Sequence, residues 1–452
     1  MFDNDTIVAI ATASGMGAIS IIRLSGKNSL KIAKKITKKD DLTPRLASLT
    51  KLYDFNGDMI DESLVIYFKN PHSFTGEDVV EFQCHGGMAL TNMILDTTLK
   101  FGARLANGGE FSKRAYLNGK IDLTQAYAIS KLIEAKSEDG VKLLARQLKG
   151  ELKDFVEEIR KDLLFILAYV EVSIDYAEED LPDDIYSTIK IKLSQIDHKL
   201  QVALDSSKRR DGMIDGFKVA IVGKPNVGKS SLLNKLLNFD RAIVSNIAGT
   251  TRDTIEENIK IGTHIIKIVD TAGIRDTHEA IEKIGIEKSI QAIRECDIVV
   301  AVFDNSSMFD EEDSKIVQLL NNSDKEKIFV LNKCDLENKL ERTLLGKIDV
   351  ELSISKNITN NSLENLITAF NRILNSRTSS TDGIAFISKF QIISVEDSLS
   401  HIRQSVKSLE TGELEIFSYH INDALENISK ITRPYEHKEM LDVMFGEFCL
   451  GK

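Results

Sequence analysis

Gly223-Lys224-Pro225-Asn226-Val227-Gly228-Lys229-Ser230 is the stretch on which the reading of this chain turns. It matches the pattern G-x-x-x-x-G-K-S. An apolar run, Phe217-Lys218-Val219-Ala220-Ile221-Val222, precedes it, and Ser231-Leu232-Leu233-Asn234 carries it into a helix. Strand, glycine loop and helix in that order make a phosphate cradle. The glycines let backbone N–H groups curl around phosphate oxygens, and the helix N-terminus adds its positive end. Lys229 then reaches the β and γ phosphates, and Ser230 offers its hydroxyl oxygen to Mg²⁺.

Three further segments follow at the ends of strands. Gly249-Thr250-Thr251-Arg252-Asp253 lies in a polar loop, where a threonine is placed to close over Mg²⁺ and the γ-phosphate. Ile265-Ile266-Lys267-Ile268-Val269 runs into Asp270-Thr271-Ala272-Gly273, where Asp270 suits a place beside Mg²⁺ and the Gly273 N–H a γ-phosphate contact. Ile328-Phe329-Val330-Leu331 leads to Asn332-Lys333-Cys334-Asp335. The Asp335 carboxylate can accept both the ring N–H and the exocyclic amine of guanine. Adenine has neither donor there, so the site is expected to prefer GTP to ATP. The four motifs together predict a GTPase domain.

Ile274 stands after Gly273, where Ras-like enzymes place a water-orienting glutamine close by, and an aliphatic chain cannot polarise water. Glu282 is the nearest good candidate for that task, and a helix-surface carboxylate is its alternative reading.

Around this domain the pattern changes. Residues 6 to about 118 mix short β-like runs (Ile7–Ala11, Ile19–Leu24, Ser63–Phe68, Val79–Cys84) with glycine turns and helical stretches, which predicts an α+β domain. From about 121 to 205, Leu152, Phe155, Val156, Ile159, Leu163 and Ile166 recur at spacings of three and four, predicting helices. Residues 151–184 carry twelve acids against three bases, read as a solvated helix face rather than an acidic docking site. Ser206–Gly212 and Asn375–Gly383 read as polar linkers, and helical periodicity resumes after the second. The expected organisation is an α+β domain over 1–120, a helical domain over 121–210 and 379–452, and a G domain inserted at 211–378. Insertion requires the two linkers to lie close together.

The chain has 452 residues, 58 Lys+Arg against 69 Asp+Glu, and 42% hydrophobic residues, an ordinary globular balance. A net charge of −11 argues against a surface that is all nucleic-acid grip. Cys84, Cys296, Cys334 and Cys449 stand far apart, which disfavours a disulfide framework or zinc site and suits a reducing compartment. The longest apolar run, Leu163–Val170, has 8 residues, too short for a membrane span, and the acidic start Met1-Phe2-Asp3-Asn4-Asp5 is unlike a targeting peptide. A cytoplasmic protein is expected.

The whole chain resembles the MnmE (also called TrmE) family of tRNA-modification GTPases. The resemblance rests on the GTPase motifs within a split helical domain, on Gly109-Glu110-Phe111-Ser112-Lys113-Arg114-Ala115-Tyr116-Leu117-Asn118-Gly119-Lys120-Ile121-Asp122-Leu123, and on the terminal Phe448-Cys449-Leu450-Gly451-Lys452. It implies a potassium-activated GTPase in which dimerising G domains replace an external arginine finger. Asn226, Ser245, Ile247 and Thr250 would hold K⁺, and Glu282 would orient the attacking water. A fixed monovalent cation beside the developing phosphate charge is a sound substitute for an arginine.

The resemblance further implies a homodimer through an N-terminal tetrahydrofolate-binding-like domain. That domain would take 5,10-methylenetetrahydrofolate or a 5-formyltetrahydrofolate analogue on Arg23, Glu81, Lys120 and Lys452. Arg23 and Lys120 suit glutamyl carboxylates, and Glu81 suits the pterin's N–H groups. Cys449 would act in the modification chemistry, with a buried inert thiol as its alternative. The family works with FAD-dependent MnmG, as a heterotetramer, to install aminomethyl or carboxymethylaminomethyl groups at carbon 5 of the wobble uridine, with tRNA bound mainly by the partner. The sequence departs from the family pattern at Met16, Asn107-Gly108, Tyr127, Ile354, Ser388-Lys389-Phe390 and Ile431-Thr432-Arg433-Pro434. These departures fall more on the folate and C-terminal regions than on the GTPase core. A ribosome-assembly GTPase switch, or a folate-binding scaffold with vestigial GTPase function, are the alternatives.

Overall fold

Seven consecutive residues, Ile298–Asp304, are all buried and form an inner strand of one of two six-stranded sheets. An unbroken apolar run is what a parallel strand covered on both faces requires. The computed structural model describes residues 5–13, 15–175, 183–210, 212–239, 257–269, 290–353, 361–378, 383–433, 445–446 and 451.

The first sheet contains β1 (Ile7–Ile10), β2 (Ile19–Ser25), β3 (Ser48–Tyr53), β4 (Met59–Phe68), β5 (Val79–His85) and β6 (Arg104–Leu105), in the order β3-β4-β5-β2-β1-β6. All its pairings are antiparallel except β1 with β6. Burial alternates along β5, so one face of that strand packs inward and the other stays more open. Helices α1 (Ser29–Thr37), α2 (Met88–Lys100) and α3 (Glu110–Leu117) accompany this sheet. Ile32, Ala33 and Ile36 of α1 and Ile94 of α2 meet Ile22, Leu24, Val80 and Phe82 in one apolar core. Strands β3 and β6 go beyond the strands read from the sequence. The first is a peripheral strand with only Thr50 and Leu52 buried, and the second is two residues long.

The second sheet contains β7 (Phe217–Val222), β8 (Glu257–Ile261), β9 (His264–Val269), β10 (Ile298–Asp304), β11 (Glu326–Asn332) and β12 (Val350–Glu351), in the order β12-β11-β10-β7-β9-β8. It is parallel except for the β8–β9 hairpin. With it go α8 (Lys229–Phe239), α9 (Glu311–Asn321) and α10 (Asn361–Thr378). Phe217, Val219 and Ile221 pack with Leu232, Leu236 and Phe370 on one side, while Ala220, Val222, Val299 and Phe303 pack with Leu320 and Leu345 on the other. Both faces are therefore covered, as a parallel sheet demands. The remaining helices are α4 (Leu123–Glu134), α5 (Glu138–Leu148), α6 (Glu151–Asp175), α7 (Asp183–Arg209), α11 (Lys389–Thr411) and α12 (Leu414–Ser429).

The chain divides into two compact units. One holds residues 1–130, 147–180 and 407–452, and the other 131–146 and 181–406. In the first, α6 packs on α12, and Val156, Ile159 and Leu163 are fully buried, in keeping with the helical periodicity of that stretch. In the second, the polar run Ser206–Gly212 differs from the expected linker. Helix α7 continues through Arg209, and Ser206, Ser207 and Arg210 are buried. Their hydrogen bonds explain this: Phe386 N donates to Ser207 Oγ at 2.7 Å and Arg210 Nη1 donates to Gly383 O at 2.8 Å. Buried polar groups with partners cost little. The same two bonds hold the end of α7 against Gly383 and Phe386. Asn375–Thr378 likewise belong to the last turn of α10.

Among the described residues no helix is long and apolar enough to cross a membrane.

Candidate functional site

The phosphate loop leaves β7 at Val222 and enters α8 at Lys229. Three of its residues have positive φ: Gly223 (152°), Asn226 (65°) and Gly228 (103°). Gly223 is indispensable in this conformation, because a Cβ there would lie 2.4 Å from Val302 O of β10. Asn226 adopts the left-handed region, which asparagine tolerates better than most side chains. Lys229 Nζ donates to Gly223 O at 2.7 Å and to Lys224 O at 2.8 Å, so the ammonium lies over the mouth of its own loop. Burial holds its pKa below that of an ordinary lysine, against the opposing pull of the Glu312 charge. Ser230 and Ser231 sit in the first turn of α8, the helix end that attracts anions.

Parallel pairing brings the Asn332–Asp335 segment alongside. Asn332 is aligned with Asp304 at the ends of β11 and β10. Its buried side chain donates Nδ2–H to Val227 O at 2.8 Å, tying the segment to the phosphate loop. Lys333, at φ 58°, donates to Asp304 Oδ2 at 2.5 Å. Burial raises the Asp304 carboxyl, but the bonds from Lys333 and Ser306 outweigh it and hold the group below its usual range. Cys334 N donates to Leu352 O at 3.0 Å and Leu352 N to Leu331 O at 2.7 Å, which sets Ser353 beside the Asn332–Asp335 segment. Asp335 is exposed, as a carboxylate that receives a base should be.

The structure thus gathers Asn226, Val227, Gly228, Lys229, Ser230, Ser231, Asn332, Lys333, Asp335 and Ser353 at the C-terminal edge of the parallel sheet. Ser245, Asn246, Ile247, Ala248, Gly249, Thr250, Thr251, Asp270, Thr271, Ala272, Gly273, Glu282, Ile354, Cys449 and Lys452 lie outside the described residues. Strand β8 starts at Glu257, after the first of these segments, and β9 stops at Val269, just before the second.

In the antiparallel sheet, Arg23 of β2 and Glu81 of β5 are direct cross-strand partners. Arg23 Nε donates to Glu81 Oε1 at 2.8 Å. The guanidinium also stands 5.9 Å from the centre of the Phe74 ring and 5.7 Å from that of Phe111. Phe74 belongs to the β4–β5 loop, and the same loop backs Lys120. Gly76, at φ 79°, leaves room for the Lys120 stem, since a Cβ there would come within 3.1 Å of Lys120 Cε. Asn118 Nδ2 donates to Thr75 O at 2.7 Å and joins the two segments. Beside them runs a partly buried network in which Ser25 Oγ donates to Glu77, and Arg114 donates to Glu77, Asp5 and Glu110. Gly451 backs onto β1, where a Cβ would sit 2.4 Å from Ile10 O, and Phe445 packs near Tyr116 with ring centres 6.2 Å apart. Cys84, Cys296 and Cys334 are free thiols, and burial pushes the pKa of each up.

Sequence reasoning passed over Lys224, Asp304, Phe74 and Gly76. The Asp310-x-x-Asp313 cap ahead of α9, which holds Lys224, was legible as a helix start. Nothing local marks the other three.

A parallel sheet with a glycine loop at the end of β7 and an Asn-Lys-x-Asp segment at the end of β11 defines a P-loop GTPase. Comparison with known proteins makes that particular. Residues 6–120 match the family described as GTP-binding protein TrmE N-terminus, and residues 123–449 match the MnmE helical domain. The tRNA modification GTPase MnmE of Aliarcobacter butzleri (strain RM4018) is 64% identical, covering 100% of both chains. Those of Sulfurimonas denitrificans and Sulfurovum sp. (strain NBC37-1) are 57% and 54% identical, each covering 99% of both chains. The chain belongs to the MnmE/TrmE family of tRNA-modification GTPases.

Proposed function

We propose that this GTPase is activated by K⁺ and by pairing of its G domains, and that with MnmG it installs (carboxymethyl)aminomethyl groups at carbon 5 of the tRNA wobble uridine. The observation that carries the nucleotide part is the bond from Asn332 to Val227 O, which joins the guanine-reading segment to a loop that also holds Lys229. Mg²⁺ would take Ser230 and Thr251, with Asp270 nearby. Asn226, exposed at a left-handed position of the loop, suits a side-chain ligand to K⁺, with Ser245, Ile247 and Thr250 completing the site. Glu282 would orient the attacking water. Ser353 and Ile354 would clasp the base that Asp335 reads.

The folate reading draws support from the donor set at the antiparallel sheet. Glu81 is an acceptor already oriented by Arg23, the exposed Phe74 offers an aromatic face, and Lys120 adds a cation for a glutamyl carboxylate. The folate would supply the one-carbon unit. This chain's part would be to bind and orient it, with Lys452 as a further contact and Cys449 acting in the modification chemistry. The chain would form a homodimer through its N-terminal domain and a heterotetramer with MnmG, the partner bearing most tRNA contacts because this chain is acidic overall.

Replacing Na⁺ by K⁺ in a GTPase assay should raise turnover; equal rates in the two salts reject the potassium site. Glu282→Ala should keep nucleotide binding and lose most turnover. Mass spectrometry of wobble uridines from a deletion strain should show the modification missing. Normal uridines together with a ribosome-assembly defect would favour the ribosomal switch instead.

A further inference from the structure

We infer that Lys224 is a positioning residue for GTP, fixing the first turn of the phosphate loop to the N-terminus of α9 through Asp310 and Asp313. Its ammonium donates to Asp310 Oδ2 and to Asp313 Oδ2, both at 2.8 Å. The lysine side chain is 13% exposed and that of Asp313 only 1%. Two carboxylates meet on one cation: that of Asp310 is half exposed and that of Asp313 is buried, and among the described residues Asp313 Oδ1 has no hydrogen-bond partner. The charge on Asp313 therefore depends on Lys224 for its compensation.

The acids are themselves locked. Asp310 caps α9 by accepting from Glu312 N at 3.0 Å and Asp313 N at 3.1 Å, and Asp310 N donates back to Asp313 Oδ2. On the other side, the backbone of Lys224 is one of the two carbonyls that receive Lys229 Nζ. Gly223, the second, is pressed on Val302 of β10. The opening of the loop is thus held between β10 and the helix cap that follows β10. A shift at Lys224 would move both oxygens under Lys229 and the row of N–H groups leading to Gly228. The lysine side chain points at the cap, so its effect on the nucleotide passes through the loop backbone. Phosphate contacts made by such a loop exist in the ground state and persist in the transition state, so their loss raises KM more than it lowers kcat.

The proposal rests on reading Gly223–Ser230 as the phosphate site. It is tested on the full chain with GDP binding, GTP kinetics and thermal unfolding. Lys224→Met should weaken GDP binding and raise the GTP KM by roughly tenfold, with kcat held within about threefold. Lys224→Arg, which can span both carboxylates, should recover to within about threefold. The triple variant K224M/D310N/D313N leaves no carboxylate uncompensated; it should regain the unfolding temperature but not the affinity. Unchanged GDP affinity in Lys224→Met, recovered affinity in the triple variant, or loss of folding in both would overturn the proposal. So would a fall in kcat with KM unchanged, the mark of a merely smaller folded fraction. Lys229→Ala separates the two failures. If it binds GDP normally, the phosphate-site reading fails; if it loses GDP while Lys224→Met keeps it, only the role of Lys224 fails.

Discussion

The two sheets carry the charged groups of their candidate sites in opposite places. In the parallel sheet the inner strand β10 is apolar from Ile298 to Phe303, and the candidate-site groups lie in loops beyond the C-terminal ends of β7 and β11. In the antiparallel sheet Arg23 and Glu81 lie within β2 and β5, paired across the strands. The difference follows from coverage. A sheet buried on both faces cannot hold a charge along its length without a large desolvation cost, whereas a sheet with an open face can hold a paired one. Loop chemistry of the first kind is carried by contiguous residues. Chemistry of the second kind comes from residues 58 positions apart.

The comparison can be broken most directly at Lys229. Lys229→Ala should reduce GTP turnover by about 10³-fold, roughly 4 kcal/mol, while leaving the unfolding temperature nearly unchanged; a small loss in single-turnover assays would contradict the loop reading. Gly223→Ala comes next. Its Cβ has no room against Val302 O and its φ is strained, so denaturant unfolding should show a cost of about 3 kcal/mol together with loss of nucleotide. Asp335→Asn should leave the fold intact and narrow the preference for GTP over ATP by about 30-fold in competition binding, since one amide cannot accept both guanine donors.

The antiparallel sheet should respond more gently. Glu81→Gln is expected to cost about 1 kcal/mol of stability, because the Arg23 pair is partly solvated. It should cost about tenfold in affinity for 5-formyltetrahydrofolate. Stability lost without folate affinity would make the pair purely structural.

Acid gives the smallest effect and the clearest contrast of sign. Burial pushes the carboxyls of Asp5 and Glu110 up, but Arg104 and Arg114 outweigh it and hold both low. A carboxyl lowered by folding contributes stability that is present above its unfolded value, near 4, and is lost as pH falls through the folded value. Asp313 is raised by burial, so its contribution runs the other way and protonation favours its folded state. Unfolding temperatures followed from pH 6 to pH 3 should drop more steeply in the parent than in Glu110→Gln. Parallel curves would remove the Arg network from the account.

The phosphate loop, the Asn332–Asp335 segment and the strands leading to them were legible because each is a short local pattern with its own backbone demands. The helix α6 was legible from its periodicity. Ser206–Gly212 misled because composition reports polarity, not partners: the serines and Arg210 look like a linker until Gly383 and Phe386 are placed against them. Strand β3 passed unnoticed because a strand half in solvent carries only two buried side chains to mark it.

By itself, then, the sequence determined the class of protein, a P-loop GTPase, whose proposed phosphate loop Gly223–Ser230 and guanine-reading Asp335 are each encoded within a few consecutive residues. Only the tertiary structure decided that Lys224 is bound by Asp310 and Asp313, that Lys333 leans on Asp304, and that Arg23 meets Glu81 between two aromatic rings. These pairings join residues from 29 to 89 positions apart. No local pattern specifies such a pair, because its energy exists only once strand register and helix placement bring the two charges within hydrogen-bond reach.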